Sequence, residues 1–429
     1  MSTFTLNKDF QLGVVLGGVQ SDGGKIPNSW ELWHSKGFIK DASSPEIAAK
    51  HWQYWRDDLK IMQHMSLRTC RLCLDWARIE PSDGVFDDAA IGRVAQELYQ
   101  LRSVGIRTLL TLHRFSDPIW FLKRGGWENK ENIICFLKYT EKVVRTLGHL
   151  VSEFITLDEP NLHAIESYLK GTWAPGKKSK PAAMQAMSVM AAAHIRCYKL
   201  IHSVRRELGF DDTAVGCSVH MRALEPKKSG NRFSTAAAAA TERIFQTAMA
   251  EAMISGRFLR GMKNHALARE GNYADFIGLA YYTRTYVAGN TQIMRNGVAK
   301  NDLGWEICPD GLIRCVEKLR SIGSAPVYIT ANGVCDNSDS FRCRFLSDHL
   351  SAIVESGLPI GRYYYNSLLD GFEYLCGSSA RFGLVSTNPG NGERRLKKSG
   401  EFFRDIVKSS GVTEQMYDKY VAQERYQLR

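Results

Sequence analysis

The stretch "FITLDEPN" at residues 154–161 is a short run of β-formers that ends in two carboxyls, Asp158 and Glu159, and meets a proline at 160. A buried strand followed at once by a Pro-led helix start is one βα unit. The same pattern recurs in both directions along the chain. Candidate strands lie at 12–16, 69–75, 108–112, 154–157, 214–219, 276–280, 327–330 and 363–366, with longer helical patterns between them. Alternation of this kind places helices around a parallel sheet, and eight strands are what a closed (β/α)8 TIM barrel requires. No Pro- or Ser-rich linker divides residues 1–429, so a single barrel domain is expected over the whole chain.

The intervening helices carry their own signals. "AAIGRVAQELYQLRSVG" (89–105) has apolar residues at helical spacing and a glycine stop, and "STAAAAATERIFQTAMAEAM" (234–253) runs through strong helix formers from Ser234, read as its cap. The polar segment 337–343, "NSDSFRC", follows the seventh strand and is expected to line the mouth of the barrel.

Composition excludes several classes. Hydrophobic residues at 44% and charged residues at 24% are those of a globular chain, and no apolar run is long enough to span a bilayer, so no membrane partner is expected. The opening segment "MSTFTLNKDFQLGVVLGGVQ" reads as a buried first strand, not a signal peptide. Ten scattered cysteines suit reduced thiols and a cytoplasmic location better than a disulfide framework. Cys70 and Cys73 form a C-x-x-C on a strand, where residues three apart face opposite ways, so they share no metal. The net charge of +11 collects at Lys177, Lys178 and Lys180 and at Arg394, Arg395, Lys397 and Lys398. Without interleaved aromatics these clusters read as solvated loop charge, and no nucleic-acid partner is expected.

Chemistry in a barrel enzyme gathers where strands end. A lone carboxyl before Pro160 is readily a helix cap, but two in succession, Asp158 and Glu159, are harder to explain that way. Cleavage of a glycosidic bond needs one carboxyl to protonate the leaving oxygen.

In sequence order, the motifs now resemble those of glycoside hydrolase family 1, the β-glucosidase and 6-phospho-β-glucosidase family, over nearly the whole chain. "GVVLGGVQSDGG" (13–24) resembles its opening strand and puts Gln20 at a sugar-binding glutamine. "CRLCLDWARIEP" (70–81) puts Arg71 where an arginine supports the nucleophile. "FITLDEPN" resembles T-x-N-E-P-N and gives Glu159 the acid/base role. "DFIGLAYYTR" (275–284) puts Tyr282 at the tyrosine that touches the nucleophile, and "SLLDGFEYLCGSSARFGLV" (367–385) puts Glu373 at the carboxylate that binds outer sugar hydroxyls. "GWEICPDGL" (304–312) and "YITANG" (328–333) complete the order. The resemblance implies a (β/α)8 barrel that hydrolyses β-glycosides with retention, acts on a β-linked saccharide or glycoside, and uses no metal or organic cofactor.

The departures from that pattern are informative. The nucleophile position holds Ala331, within "PVYITANGVCDN" (326–337). Asp158 replaces the asparagine before the acid/base, and Arg114 replaces the sugar-binding histidine, with His113 next door facing the other way. Ala280 replaces an asparagine, Asn366 replaces the stacking tryptophan, and "DNFEW" has become "DGFEY", with Gly371 and Tyr374. An engineered knockout of the nucleophile would change residue 331 alone. Changes at several other sugar-facing positions favour a natural remodelling of the first sugar subsite, on which an engineered alanine could still be superimposed.

Without an enzyme nucleophile, a substrate's own 2-acetamido oxygen can attack the anomeric carbon, with Asp158 orienting the acetamido N–H and Glu159 protonating the leaving group. The alternatives are a double-displacement β-glucosidase whose nucleophile glutamate was replaced by Ala331, and a carbohydrate-binding pseudoenzyme. Arg114 either binds an anionic sugar substituent or pairs with Asp158. A homo-oligomer is compatible with the sequence, which fixes neither assembly nor sugar.

Overall fold

A computed structural model describes residues 3–289 and 291–428. Eight parallel strands close into a barrel: β1 (Gln11–Gly17), β2 (Thr69–Cys73), β3 (Arg107–Thr111), β4 (Glu153–Asp158), β5 (Ala214–Pro226), β6 (Phe276–Ala288), β7 (Val327–Asn332) and β8 (Ile360–Tyr365). Each strand pairs with its sequence neighbours, and β8 returns to β1 with Leu12 opposite Tyr363. All eight fall on the candidate strands, with β5 and β6 running well past the ends expected for them. Beyond the barrel those two continue as a paired ribbon up to Pro226 opposite Val287.

Alternation along the strands sorts side chains between two cores. On β1, Val14 and Leu16 pack outward against the helices, while Val15 joins Cys73, Leu109, Ile155, Phe276 and Tyr364 inside the barrel. Cys70 and Cys73 accordingly lie in different cores. Inside, the filling is layered. At the N-terminal end Arg362 Nη2 donates to Glu153 Oε1 at 2.6 Å. Above comes the apolar layer, and above that a polar layer built from Arg71, Thr111, Asp158, Ser218 and Thr330.

The helix Asp88–Ser103 follows its expected pattern, ending before Gly105 at φ 79°. The helix read from Ser234 differs. It starts at Arg232 with Asn231 as its cap, whose side chain accepts from the Ser234 amide, so the first turn closes three residues earlier than a Ser234 cap would allow. It then passes through a π turn, Arg243–Thr247, before continuing as Ala248–Ser255. The segment 337–343 follows β7 at the C-terminal end of the barrel but does not line the cavity there. Asp336 accepts from the Phe341 amide and Arg342 binds the Asp336 and Arg381 carbonyls, which ties the segment to the C-terminal loops instead.

The basic clusters are less free than solvated loops. Lys177 pairs with Glu128, Arg394 with buried Asp58, Lys397 with Asp370 and Lys398 with Glu424. All ten cysteines are free thiols, nine of them buried. Among the described residues no helix is long and apolar enough to cross a membrane.

Candidate active site

At the C-terminal end of the barrel a cavity of about 220 Å³ opens between the loops. Six of the residues singled out from the sequence line it: Arg114, Glu159, Tyr282, Asn366, Glu373 and Tyr374. Its aromatic surface comes from Phe115, Trp173, Tyr282, Trp305, Tyr374 and Phe382. The cavity thus carries several rings beside the asparagine at 366. Gln20, Arg71, Asp158 and Ala331 stand behind this wall and are almost fully buried.

Glu159 follows the last residue of β4 with its backbone in the left-handed region, φ 48° and ψ 45°. Its side chain makes no cap bond to the Pro160-led helix, which excludes the capping explanation for this carboxyl. Its Oε2 instead lies 2.6 Å from His220 Nδ1, and Arg222 Nε donates to His220 Nε2 at 3.1 Å. His220 and Arg222 both sit on β5 and line the cavity. Neither was singled out from the sequence, although residues two apart on a strand share a face. Burial lowers the pKa of Arg222, against the pull of Glu166 and Glu159.

Asp158, one residue earlier, points into the barrel. Its Oδ2 lies 2.5 Å from Arg71 Nη2 and 3.2 Å from Arg114 Nε. Burial alone would raise this carboxyl, but the two guanidinium groups outweigh it and hold the pKa below the ordinary value. Arg71 is anchored further by Thr111 Oγ1 and the Thr330 carbonyl, each at 2.9 Å. Arg114 donates through Nη2 to Asn366 Oδ1 at 3.1 Å, while Nη1 has no acceptor in the protein.

Ala331 is fully buried on β7 and sits opposite Ala280 on β6, so two departures from the family pattern are neighbours. The next residue, Asn332, donates to the Tyr281 carbonyl and accepts from the Tyr363 hydroxyl, both at 2.8 Å. Those bonds hold the strand end in place although position 331 carries only a methyl group.

On the opposite wall Glu373 is backed by Gln20. Gln20 Nε2 donates to Glu373 Oε1 at 2.6 Å, and the Phe372 amide donates to the Gln20 carbonyl at 2.8 Å. A Cβ at Gly371 would collide with that same carbonyl, which explains a glycine in "DGFEY". Burial pushes the Glu373 carboxyl up to about 7, moderated by Gln20 and Arg114.

His113 turns away from the cavity, as expected. Together with Asp117 and His163 it is the group whose ligand atoms, within 4.8 Å of one another, could hold a metal among the described residues. Asp117 Oδ1 already accepts from Trp127 Nε1 and faces His113 Nε2, each at 2.9 Å. The cluster thus reads as a clamp joining the loop after β3 to the helix after β4.

Glycosyl hydrolase family 1 matches the chain over residues 5–412. β-Glucosidase A of Thermotoga maritima is 25% identical over 94% of this chain and 98% of its own. The β-glucosidase of an Agrobacterium species is 26% identical over 93% and 94%. Among solved structures, a β-glycosidase from Pyrococcus horikoshii superposes with a TM-score of 0.89 at 27% identity, covering 97% of this chain and 98% of that one. A family 1 β-glucosidase from Thermotoga maritima gives 0.87 at 24%, covering 96% and 100%, and supports the same barrel. With the barrel, the cavity and the family match in agreement, the chain belongs to glycoside hydrolase family 1.

Proposed function

We propose that the protein cleaves a β-glycosidic bond with Glu159 as general acid and then general base. The observation that carries this reading is the placement of Glu159 on one small cavity with Arg114, Tyr282, Asn366, Glu373 and Tyr374. A carboxyl on such a wall reaches a glycosidic oxygen, and aromatic rings beside it suit the apolar faces of a sugar. Gln20 and Glu373 act as a pair on the sugar hydroxyls, and Arg71 supports the polar layer beneath.

The attacking group is proposed to come from the substrate. Ala331 offers no carboxylate, and a 2-acetamido oxygen attacking the anomeric carbon dispenses with one. Asp158 Oδ2 is taken by two guanidinium groups, which leaves Oδ1 to accept the acetamido N–H. A second reading is favoured by that same double ion pair: Asp158 serves only to neutralise Arg71 and Arg114, and the site lacks a nucleophile at 331. Nine buried free thiols suit a reducing compartment, and the cytoplasm is the proposed location.

Aryl β-glycosides with and without a 2-acetamido group separate the readings. Turnover confined to acetamido sugars is the expected result. Turnover of plain glycosides only after azide or formate is added would establish the missing nucleophile, and sugar binding without turnover under any of these conditions would make the protein a pseudoenzyme.

A further inference from the structure

We infer that His220 and Arg222 decide which oxygen of Glu159 carries the catalytic proton. The inference rests on Glu159 being the acid/base. A guanidinium has only N–H donors and stays protonated, so Arg222 Nε can meet His220 Nε2 at 3.1 Å only as the donor. Nε2 must then present its lone pair, which makes the imidazole neutral with its proton on Nδ1. That Nδ1–H lies 2.6 Å from Glu159 Oε2 and donates to it.

The arrangement is held on every side. His220 is 7% exposed, and its ring lies near-parallel to Tyr282 at 6.2 Å. Its backbone is gripped by Asn161, which donates to the His220 carbonyl at 2.8 Å and accepts from its amide at 3.1 Å. The charged groups around the ring are Glu159 and Arg222, with Glu166 beyond Arg222 on the cavity wall. With Oε2 occupied by an N–H, a proton on the carboxyl goes to Oε1. From Oε1 it passes to the glycosidic oxygen, which keeps the electron pair of the breaking C–O bond. Oε1 regains a proton from the water that completes hydrolysis. His220 and Arg222 are positioning residues in this scheme, since neither touches the reacting atoms.

The first test needs no turnover. In protein carrying 15N-histidine, NMR at neutral pH is expected to show His220 with a protonated Nδ1 and a bare Nε2, and Arg222→Met is expected to release that tautomer. A proton on Nε2 in the unsubstituted protein would overturn the inference, whatever becomes of the proposed hydrolysis. The second test uses any aryl glycoside that the protein turns over. His220→Asn offers an amide N–H near the place of Nδ1 and is expected to keep activity within about tenfold. His220→Leu is expected to lower kcat about 10²-fold with poor leaving groups and leave KM unchanged. Equal losses in two variants that both melt like the parent would reduce His220 to packing.

Discussion

Asp158 Oδ2 and Arg71 Nη2 lie 2.5 Å apart in a fully buried pair, and Arg114 draws on the same oxygen. The carboxylate that neutralises the arginine of the polar layer therefore stands at the end of β4. In the family pattern it would stand at position 331 on β7. Removing one partner from such a cluster leaves a buried charge uncompensated, so Asp158→Ala is expected to lower the unfolding free energy by about 3–5 kcal/mol. Denaturant unfolding checks this, and a loss below 1 kcal/mol would mean that water reaches the pair.

Installing a glutamate at 331 alone is expected to fail. Its carboxylate would compete with Asp158 for Arg71, and two close carboxylates disfavour joint ionisation. The double variant Ala331→Glu with Asp158→Asn removes that conflict. In a four-protein cycle on a plain aryl β-glucoside, kcat/KM of the double variant is expected to exceed the product of the single effects by about tenfold or more. Simple multiplicativity would show that the two positions are uncoupled.

Glu159→Gln is expected to cost about 10²–10⁴-fold in kcat with poor leaving groups, and far less with a dinitrophenyl leaving group that needs no proton. A loss independent of the leaving group would remove the acid assignment.

His51 lies outside the cavity, with Nδ1 2.8 Å from Asp58 Oδ2 and Nε2 3.0 Å from Glu97 Oε1. Burial opposes its charge, but Glu97 and Asp58 outweigh burial and raise its pKa from 6.5 to about 10. A pKa raised on folding stabilises fully below the unfolded value and is lost as pH climbs through the folded one. The denaturant midpoint is therefore expected to fall between about pH 6.5 and 10, and His51→Gln is expected to flatten that decline.

Gly371→Ala drives a methyl group into the Gln20 carbonyl. Moving that backbone costs about 1–3 kcal/mol and pulls Gln20 away from Glu373. The expected outcome is a lower melting temperature together with a raised KM; a raised melting temperature would contradict the contact.

The sequence disclosed the barrel because buried parallel strands are β-rich along their whole length and recur between helices. It pointed to Arg114, Glu159, Tyr282, Asn366, Glu373 and Tyr374, the six that line the cavity, because each falls in a motif that resembles one of the family's. It did not disclose His220 and Arg222. The candidate fifth strand stopped at 219, whereas β5 runs on to Pro226 as a ribbon beside β6 that no local pattern announces. The cap at Asn231 was missed because both Asn and Ser suit that role and only the helix start chooses between them. The segment 337–343 was misplaced because polarity marks a loop as exposed without saying which surface it meets.

Phe115, Glu159 and Tyr374 all adopt left-handed backbones, with φ of 57°, 48° and 54°, and all three face the cavity. Each conformation is unfavourable for a residue with a Cβ by about 1–2 kcal/mol. Three of the ten non-glycine residues with such backbones among the described residues therefore lie on the cavity wall. The eight strands beneath supply the stability that tolerates them. Substrate preference in this barrel can consequently drift by exchanging cavity-lining residues such as Asn366 and Tyr374, whereas Asp158 and Ala331, buried in the strands beneath, belong to the frame that must keep folding.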